Sequence, residues 1–263
     1  MFSLEKIHRQ KKREWEMALI IEAILNYFQN HGYKEKKGFQ SLEFGCGDGF
    51  QIPYLEKISE VTATDIYISE EIKANQVKNF FECSITNTPF DNGYFDLIFS
   101  NHVLEHIENL RASFQEMKRI GNDNCLYAFS VPTNIWLLLS IPAQYYNKFS
   151  SLMKKVCFSD RDEKSKIYKY SISDRRGQKS VSQERLIKKI IPCGHGTCRG
   201  FRDCYSSFRV GSWEKLFLEN GFQIARVKPL LLYSASEFPI IPTTRFLAKK
   251  GVCSSVLFLL THT

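Results

Sequence analysis

No stretch of the chain stays apolar for anything near the ~20 residues that a membrane-spanning helix needs, so the sequence predicts no bilayer crossing. Met1 to Arg13 is too basic and polar for a secretory signal, and the expectation is a cytoplasmic protein. A disorder signature is missing as well, because 43% hydrophobic and 24% charged residues are ordinary for a packed globule. Regular cysteine pairing is absent. Eight cysteines are enough for a disulfide set, but they scatter through predicted strands and loops, and a reducing compartment is the simpler reading. Cys193, His195, Cys198 and Cys204 do place four soft ligands within twelve residues. Their spacing is irregular and no second paired cluster follows, so they read as separate loop residues, and no metal is assigned.

What is present starts with charge. The net charge of +8 is concentrated between Lys148 and Lys189, where thirteen Lys and Arg face five Asp and Glu, so the rest of the chain is neutral. At 263 residues one sizeable core with an insertion is expected. The expected division is an N-terminal helical segment over 1–33, an α/β ligand-binding core over 34–133, an inserted lid, substrate or surface segment over 134–204, and a return to the core over 205–263.

The chain is organised around Ser41 to Gly49, SLEFGCGDG. A short buried strand ends at Phe44, three glycines follow at Gly45, Gly47 and Gly49, and Phe50 to Ile58 reads as a helix. Glycine lets backbone turn sharply and pass close under a ligand with its N–H groups pointing inward, which is the first βα turn of a nucleotide-binding sheet. Val61 to Asp65 is a second strand ending in a carboxylate, 16 residues after Gly49, near the spacing of an acid that accepts from ribose hydroxyls.

Further strands are expected at Phe80 to Ile85, Phe95 to Ser100, Cys125 to Val131, Phe222 to Lys228 and Cys253 to Leu260. Helices are expected over residues 4 to 29, after an Asn109 cap with Gly121 as the stop, and over Ser212 to Asn220. The first helix either covers the sheet or borders the ligand cleft, with covering preferred. The fold class is α/β: a doubly wound, mostly parallel seven-stranded sheet with an antiparallel edge and a segment inserted after the fifth strand.

These residues resemble a class I S-adenosylmethionine-dependent methyltransferase of the type 11 kind, over about residues 38 to 133 and 205 to 262. LEFGCGDG is similar to the family's first motif, TATD to its second, and NTPFDNGYFDLIFSNHVLEHI to its third and fourth; GSWEKLFLENGFQIARV resembles its last helix and sixth strand. The resemblance implies S-adenosylmethionine as cofactor. Glu43 would hold the methionine amino group through the loop, with Gly45, Cys46 and Gly47 passing along the cofactor. Asp65 would take the ribose hydroxyls, Ile66 would lie against adenine, and Asn101 would line the methionine end. Many relatives carry Asp where this chain has Ser84, so adenine would be held by Ser84, Ile85 or backbone.

An oxygen acceptor has to lose a proton, and histidine is the usual solution. His102, just past the fourth strand, is the first choice for catalysis and His195 the second. His102-x-x-Glu105-His106 also resembles the Glu-x-x-Glu-His metal site of some oxygen methyltransferases, but His in the first position would remove a hard ligand.

The acceptor is expected to be a hydroxyl on a small molecule, lipid or surface-glycan precursor. Nucleic acid is not expected: no Asn-Pro-Pro-Tyr-type motif follows the fourth strand, and the basic insertion has few aromatics. Trp136 to Ile141 is read as a lid over the active site. Its alternative, with the basic stretch behind it, is peripheral contact of 134–189 with anionic membrane, to which each Lys or Arg adds ~1 kcal/mol. Two alternatives to oxygen methylation stay open: transfer to nitrogen or carbon, and a noncatalytic S-adenosylmethionine binder.

Overall fold

The structure, a computed structural model, describes residues 4–32, 38–74, 77, 79–142, 195–233 and 244–262. The basic stretch Lys148 to Lys189 and Cys193 lie outside the described residues. Seven strands form one sheet: β1 Gln40–Phe44, β2 Glu60–Asp65, β3 Phe80–Glu82, β4 Phe95–Asn101, β5 Gly121–Pro132, β6 Phe222–Pro229 and β7 Ser255–His262. Their order is β3-β2-β1-β4-β5-β7-β6. The first five run parallel, and β7 inserts antiparallel between β5 and β6. The order reverses between β1 and β4, so their carboxyl ends open the crevice where such sheets bind ligands.

The central strands are apolar on both faces because each face has its own cover. Leu42, Phe44, Ile98, Tyr127, Phe129 and Phe258 pack on one side with Phe114, Met117, Trp213 and Phe217. These come from α4, Leu110–Ile120, the helix that follows α3, Glu70–Ala74, and from the helix Val210–Glu219. Alternate strand residues, Ala63, Leu97, Phe99, Leu126, Ala128, Leu257 and Leu259, point the other way. They meet Met17, Ile20, Ala23 and Ile24 of α1, Leu4–Asn30. Complete burial of one such side chain stabilises by roughly 1.5–3 kcal/mol.

Local chemistry moved several predicted boundaries. The helix after the glycine loop, α2, covers only Ile52–Leu55. The amide and hydroxyl of Ser59 both donate to the Leu55 carbonyl, at 3.1 and 3.0 Å, and close it early. β3 stops at Glu82 because Ser84 starts a turn: its carbonyl accepts from Asn87 N at 3.1 Å, and its hydroxyl takes Thr86 N at 3.3 Å. Asn109 does cap α4, accepting from Ala112 N at 3.1 Å. Gly121 ends that helix in an extended conformation and starts β5 at once, four residues earlier than expected.

The expectation that α1 covers the sheet holds for its second half only. Its first half turns Lys12, Arg13 and Glu16 toward the crevice, where Arg13 grips Asp48 of the glycine loop with two bonds of 2.6 Å. The apolar run after Pro132 is a helix over 134–142. Leu137 is buried and Trp136 is packed against the core, while Leu138 is exposed. Among the described residues no helix is long and apolar enough to cross a membrane.

Candidate functional site

The loop after β1 is shaped by backbone. Gly45 N and Cys46 N both donate to Thr64 O, at 2.8 and 3.0 Å, which fastens the end of β1 to β2. Gly47 N donates to Asp65 Oδ2 at 2.8 Å, so the carboxylate at the end of β2 orders the turn. Two of the glycines serve different ends. A Cβ on Gly45 would lie 2.6 Å from Val103, so its bareness admits the chain leaving β4. One on Gly47 would meet nothing within 4 Å, and its φ of +58° is what calls for glycine. Of the pair, only Gly47 leaves open space beside it. The Cys46 side chain is buried, which pushes its thiol up to about 12, with Glu43 and Asp65 adding to the rise.

Glu43 is 1% exposed at the end of β1, and its Oε2 has no hydrogen-bond partner among the described residues. Burial pushes its carboxyl well above the usual range, and the charges of Asp48 and Asp65 add to this, against Arg13. Asn101, at the end of β4, likewise has a buried Oδ1 without a partner among the described residues. Two buried acceptors lacking donors cost about 1–3 kcal/mol each. They fit a ligand that brings N–H donors, and a cationic amine most of all.

Beyond Asp65 the chain exposes Ile66, Tyr67 and Ile68 in a row, at 57, 74 and 39%. Apolar side chains held out beside a carboxylate offer a platform for a flat ring. Across from them Ser84 is exposed, with its hydroxyl 2.9 Å from that of Thr86. Ile85 is buried in the core with Leu42, Phe44 and Ile98, so it supports the loop from below.

His102 follows Asn101 with φ +56°, the one positive φ outside glycine among the described residues. Its amide donates to Ser130 O at 2.9 Å. The ring Nε2 lies 2.9 Å from Tyr233 Oη and 3.4 Å from Glu16 Oε1, and Nδ1 lies 3.7 Å from Glu105 Oε1. Burial by itself would lower the pKa of the imidazole, but the bonds to Glu105 and Glu16 outweigh it and push it up to about 9. Glu16 is 1% exposed and is also held by Lys12 at 2.9 Å and Ser255 at 2.6 Å. Burial raises its pKa, and Lys12 and His102 more than reverse that, leaving it far below the ordinary carboxylate range. An imidazole with its pKa at about 9 holds its proton at neutral pH, whereas the expected role of base needs it bare.

His195 lies against Trp136, with ring centroids 4.7 Å apart, and against His106 at 4.8 Å. Burial and the neighbouring His106 lower its pKa, against the charge of Glu105. Its backbone N–H donates to Cys204 Sγ at 3.0 Å. The turn that carries it is fixed to Glu105, whose carbonyl accepts from Thr197 N at 3.0 Å.

Asp65, the glycine loop, Glu43 and Asn101 thus lie together at the carboxyl ends of the neighbouring strands β2, β1 and β4. Residues that sequence reasoning missed are Glu16, Tyr233, Arg13 and Asp48. A glutamate inside the apolar stripe of α1 was the signal available for Glu16; nothing in the local sequence marks Tyr233.

Residues 42–129 match the family model described as a methyltransferase domain. Among solved structures, a 1,6-didemethyltoxoflavin-N1-methyltransferase from Burkholderia thailandensis, bound to 1,6-didemethyltoxoflavin and S-adenosylhomocysteine, is similar over 93% of this chain and 78% of its own, at 13% identity and TM-score 0.50. A S-adenosylmethionine-dependent methyltransferase from Aquifex aeolicus is 14% identical over 92% of this chain and 89% of its own, with TM-score 0.44. A geranyl diphosphate C-methyltransferase from Streptomyces coelicolor is 12% identical over 92% and 79%, with TM-score 0.49. At such identities the likeness concerns the fold, which is the Rossmann-like sheet of class I methyltransferases.

Proposed function

On the premise that the chain carries a methyltransferase domain on a class I sheet, we propose that it binds S-adenosylmethionine and transfers the methyl group to an oxygen of a small molecule, lipid or glycan precursor. The observation that carries this reading is the pair of buried acceptors without a partner among the described residues, Glu43 Oε2 and Asn101 Oδ1, at the same end of the sheet as the bonded pair Gly47 and Asp65. Glu43 and Asn101 would take the amine of the methionine part. Asp65 would accept from the ribose hydroxyls, with Ile66 and Tyr67 against adenine and Ser84 at its edge. Cys46 would contribute through its backbone, and Ile85 by supporting the loop.

Methyl transfer is an in-line displacement: the acceptor oxygen loses its proton and forms a bond to carbon while the carbon–sulfur bond breaks, leaving a neutral thioether. The sulfonium is already activated, so the protein's share is alignment and exclusion of water, worth up to ~7–11 kcal/mol in favourable cases. His102, charged and held by two carboxylates, would set a fixed positive charge beside the acceptor. His195, its pKa lowered by burial and its ring walled by Trp136, would accept the proton that the oxygen loses. Trp136 and Leu137 support a lid reading for the helix over 134–142, since they are turned into the protein rather than toward a bilayer. The Burkholderia enzyme acts on nitrogen by its name, so the acceptor atom is this reading's own commitment.

Calorimetry with S-adenosylmethionine and S-adenosylhomocysteine tests the reading, followed by transfer of a labelled methyl group to hydroxylated small molecules, lipid extracts and glycan precursors. Binding with label in an oxygen ether is the expected result. Binding with no transfer to any acceptor favours a noncatalytic binder, and no binding ends the proposal.

A further inference from the structure

Glu105, His106 and His195 come from segments about ninety residues apart, yet one ligand atom of each lies within 4.8 Å of the others. We infer that they form a site for a first-row divalent cation of the zinc type, open on the acceptor side. Cation binding itself does not depend on the methyl-transfer reading; the ion's use, to meet the acceptor oxygen and lower its pKa, rests on that reading.

The site is built by the fold. Glu105 is 4% exposed, and its Oε2 has no hydrogen-bond partner among the described residues. A bare buried carboxylate oxygen is costly, and a cation would satisfy it. The other oxygen, Oε1, lies 4.0 Å from His106 Nε2 and 3.7 Å from His102 Nδ1, so the carboxylate is held from both sides. The turn bearing His195 is seated on the Glu105 backbone: Thr197 N donates to Glu105 O at 3.0 Å, and Gly196, with φ +63°, approaches that carbonyl so closely that a Cβ would collide. Trp136 backs the His195 ring, and Cys204 holds its amide. Only His106 has a loose side chain, 50% exposed and with room to turn.

The donor set decides the ion class. Two imidazoles and one carboxylate suit zinc, iron, cobalt or nickel, whereas magnesium and calcium take oxygen ligands. Ligand distances of ~2.0–2.2 Å require the three donors to draw together by about 1 Å, which rotation of His106 supplies. Three protein ligands leave a coordination position open, the arrangement of an ion that acts on a substrate.

Chelator-stripped full-length protein titrated with Co²⁺, followed by its visible absorption, and with Zn²⁺ by calorimetry, tests the site. One ion per chain is expected, with visible bands that show nitrogen and oxygen ligation and no thiolate-to-cobalt charge transfer. Mg²⁺ should not compete. Glu105→Gln and His106→Ala should each weaken binding by about 100-fold or more, beyond the ~10–100-fold that changes around a ligand shell cost. His31→Ala, far in sequence and exposed, should leave it unchanged. His106 is half-exposed, so its variant folds even if the Glu105 variant does not. No binding, binding indifferent to His106→Ala, or thiolate bands that vanish in Cys198→Ser would each overturn the inference.

Discussion

The two flanks of the turn at Asn101 are assembled by opposite means. On the flank proposed for the cofactor, called the cofactor flank, the key atoms are backbone amides of a single glycine loop and two carboxylates, Glu43 and Asp65, at the ends of adjacent strands. On the flank proposed for the acceptor, called the acceptor flank, they are side chains from five distant segments: Glu16 meets Tyr233 across 217 positions and Ser255 across 239. The first flank is set once β1 and β2 pair. The second exists only after α1, β4, the turn at His195, the Tyr233 segment and β7 have all come together, so it should be the more easily disturbed by a single change.

The largest expected effect tests that contrast. Glu16→Ala strips a buried carboxylate from Lys12, His102, Tyr233 and Ser255 and leaves a partly buried imidazolium with one partner fewer. The expected loss is about 3–5 kcal/mol in denaturant unfolding, with a smaller loss for Glu16→Gln. A change below about 1 kcal/mol in the alanine variant would mean the acceptor flank does not depend on this network.

Within the cofactor flank, the two glycines should separate. Gly45→Ala meets Val103 as well as an unfavourable positive φ, and should cost about 2–4 kcal/mol. Gly47→Ala meets open space and should cost only the conformational ~1–2 kcal/mol while still weakening binding of S-adenosylhomocysteine. Equal losses of stability in thermal unfolding would remove the distinction drawn between them.

A subtler difference concerns protons. The Glu43 carboxyl is raised by burial, so from about its ordinary value up to its folded value it holds a proton that a neighbouring ammonium would expel. Cofactor binding should therefore release a fraction of a proton in that window and tighten as pH rises through it. Calorimetry in buffers of different ionisation enthalpy measures the release. Glu43→Gln should abolish it, and release that persists in this variant would point to another group.

The smallest effect lies outside both flanks. Arg119, helped by Thr88, holds the Glu116 carboxyl down at about 2, working against its burial. A depressed carboxylate stabilises fully above the unfolded value near 4.5 and less as pH falls toward 2. Glu116→Gln should therefore lose ~1 kcal/mol at neutral pH and nothing near pH 2, by denaturant melts at both. An equal loss at the two pH values would mean the pair acts through packing alone.

Legibility in the sequence follows the same division. The glycine loop, the strand-end acids and the alternating cores are local patterns, and β1, β2, β4 and α4 lie within a few residues of where spacing puts them. Boundaries set by one side chain, such as Ser59 closing α2 or Ser84 curling the chain after β3, escape a periodicity argument. The charge state of His102 is not a local property either: it is set by Glu16, 86 positions away, and by Glu105. Nor does spacing show that the turn at His195 is seated on Glu105. That pairing is made by a glycine with room for no side chain.

The affinity of Asp65→Ala for S-adenosylhomocysteine, measured by calorimetry beside His195→Ala, tests the central division most directly. Loss of charge-assisted bonds worth about 1.5–3 kcal/mol each predicts binding weaker by at least about 30-fold in Asp65→Ala and nearly unchanged in His195→Ala, with both variants folded by circular dichroism. Undiminished affinity in a folded Asp65→Ala protein would contradict the account.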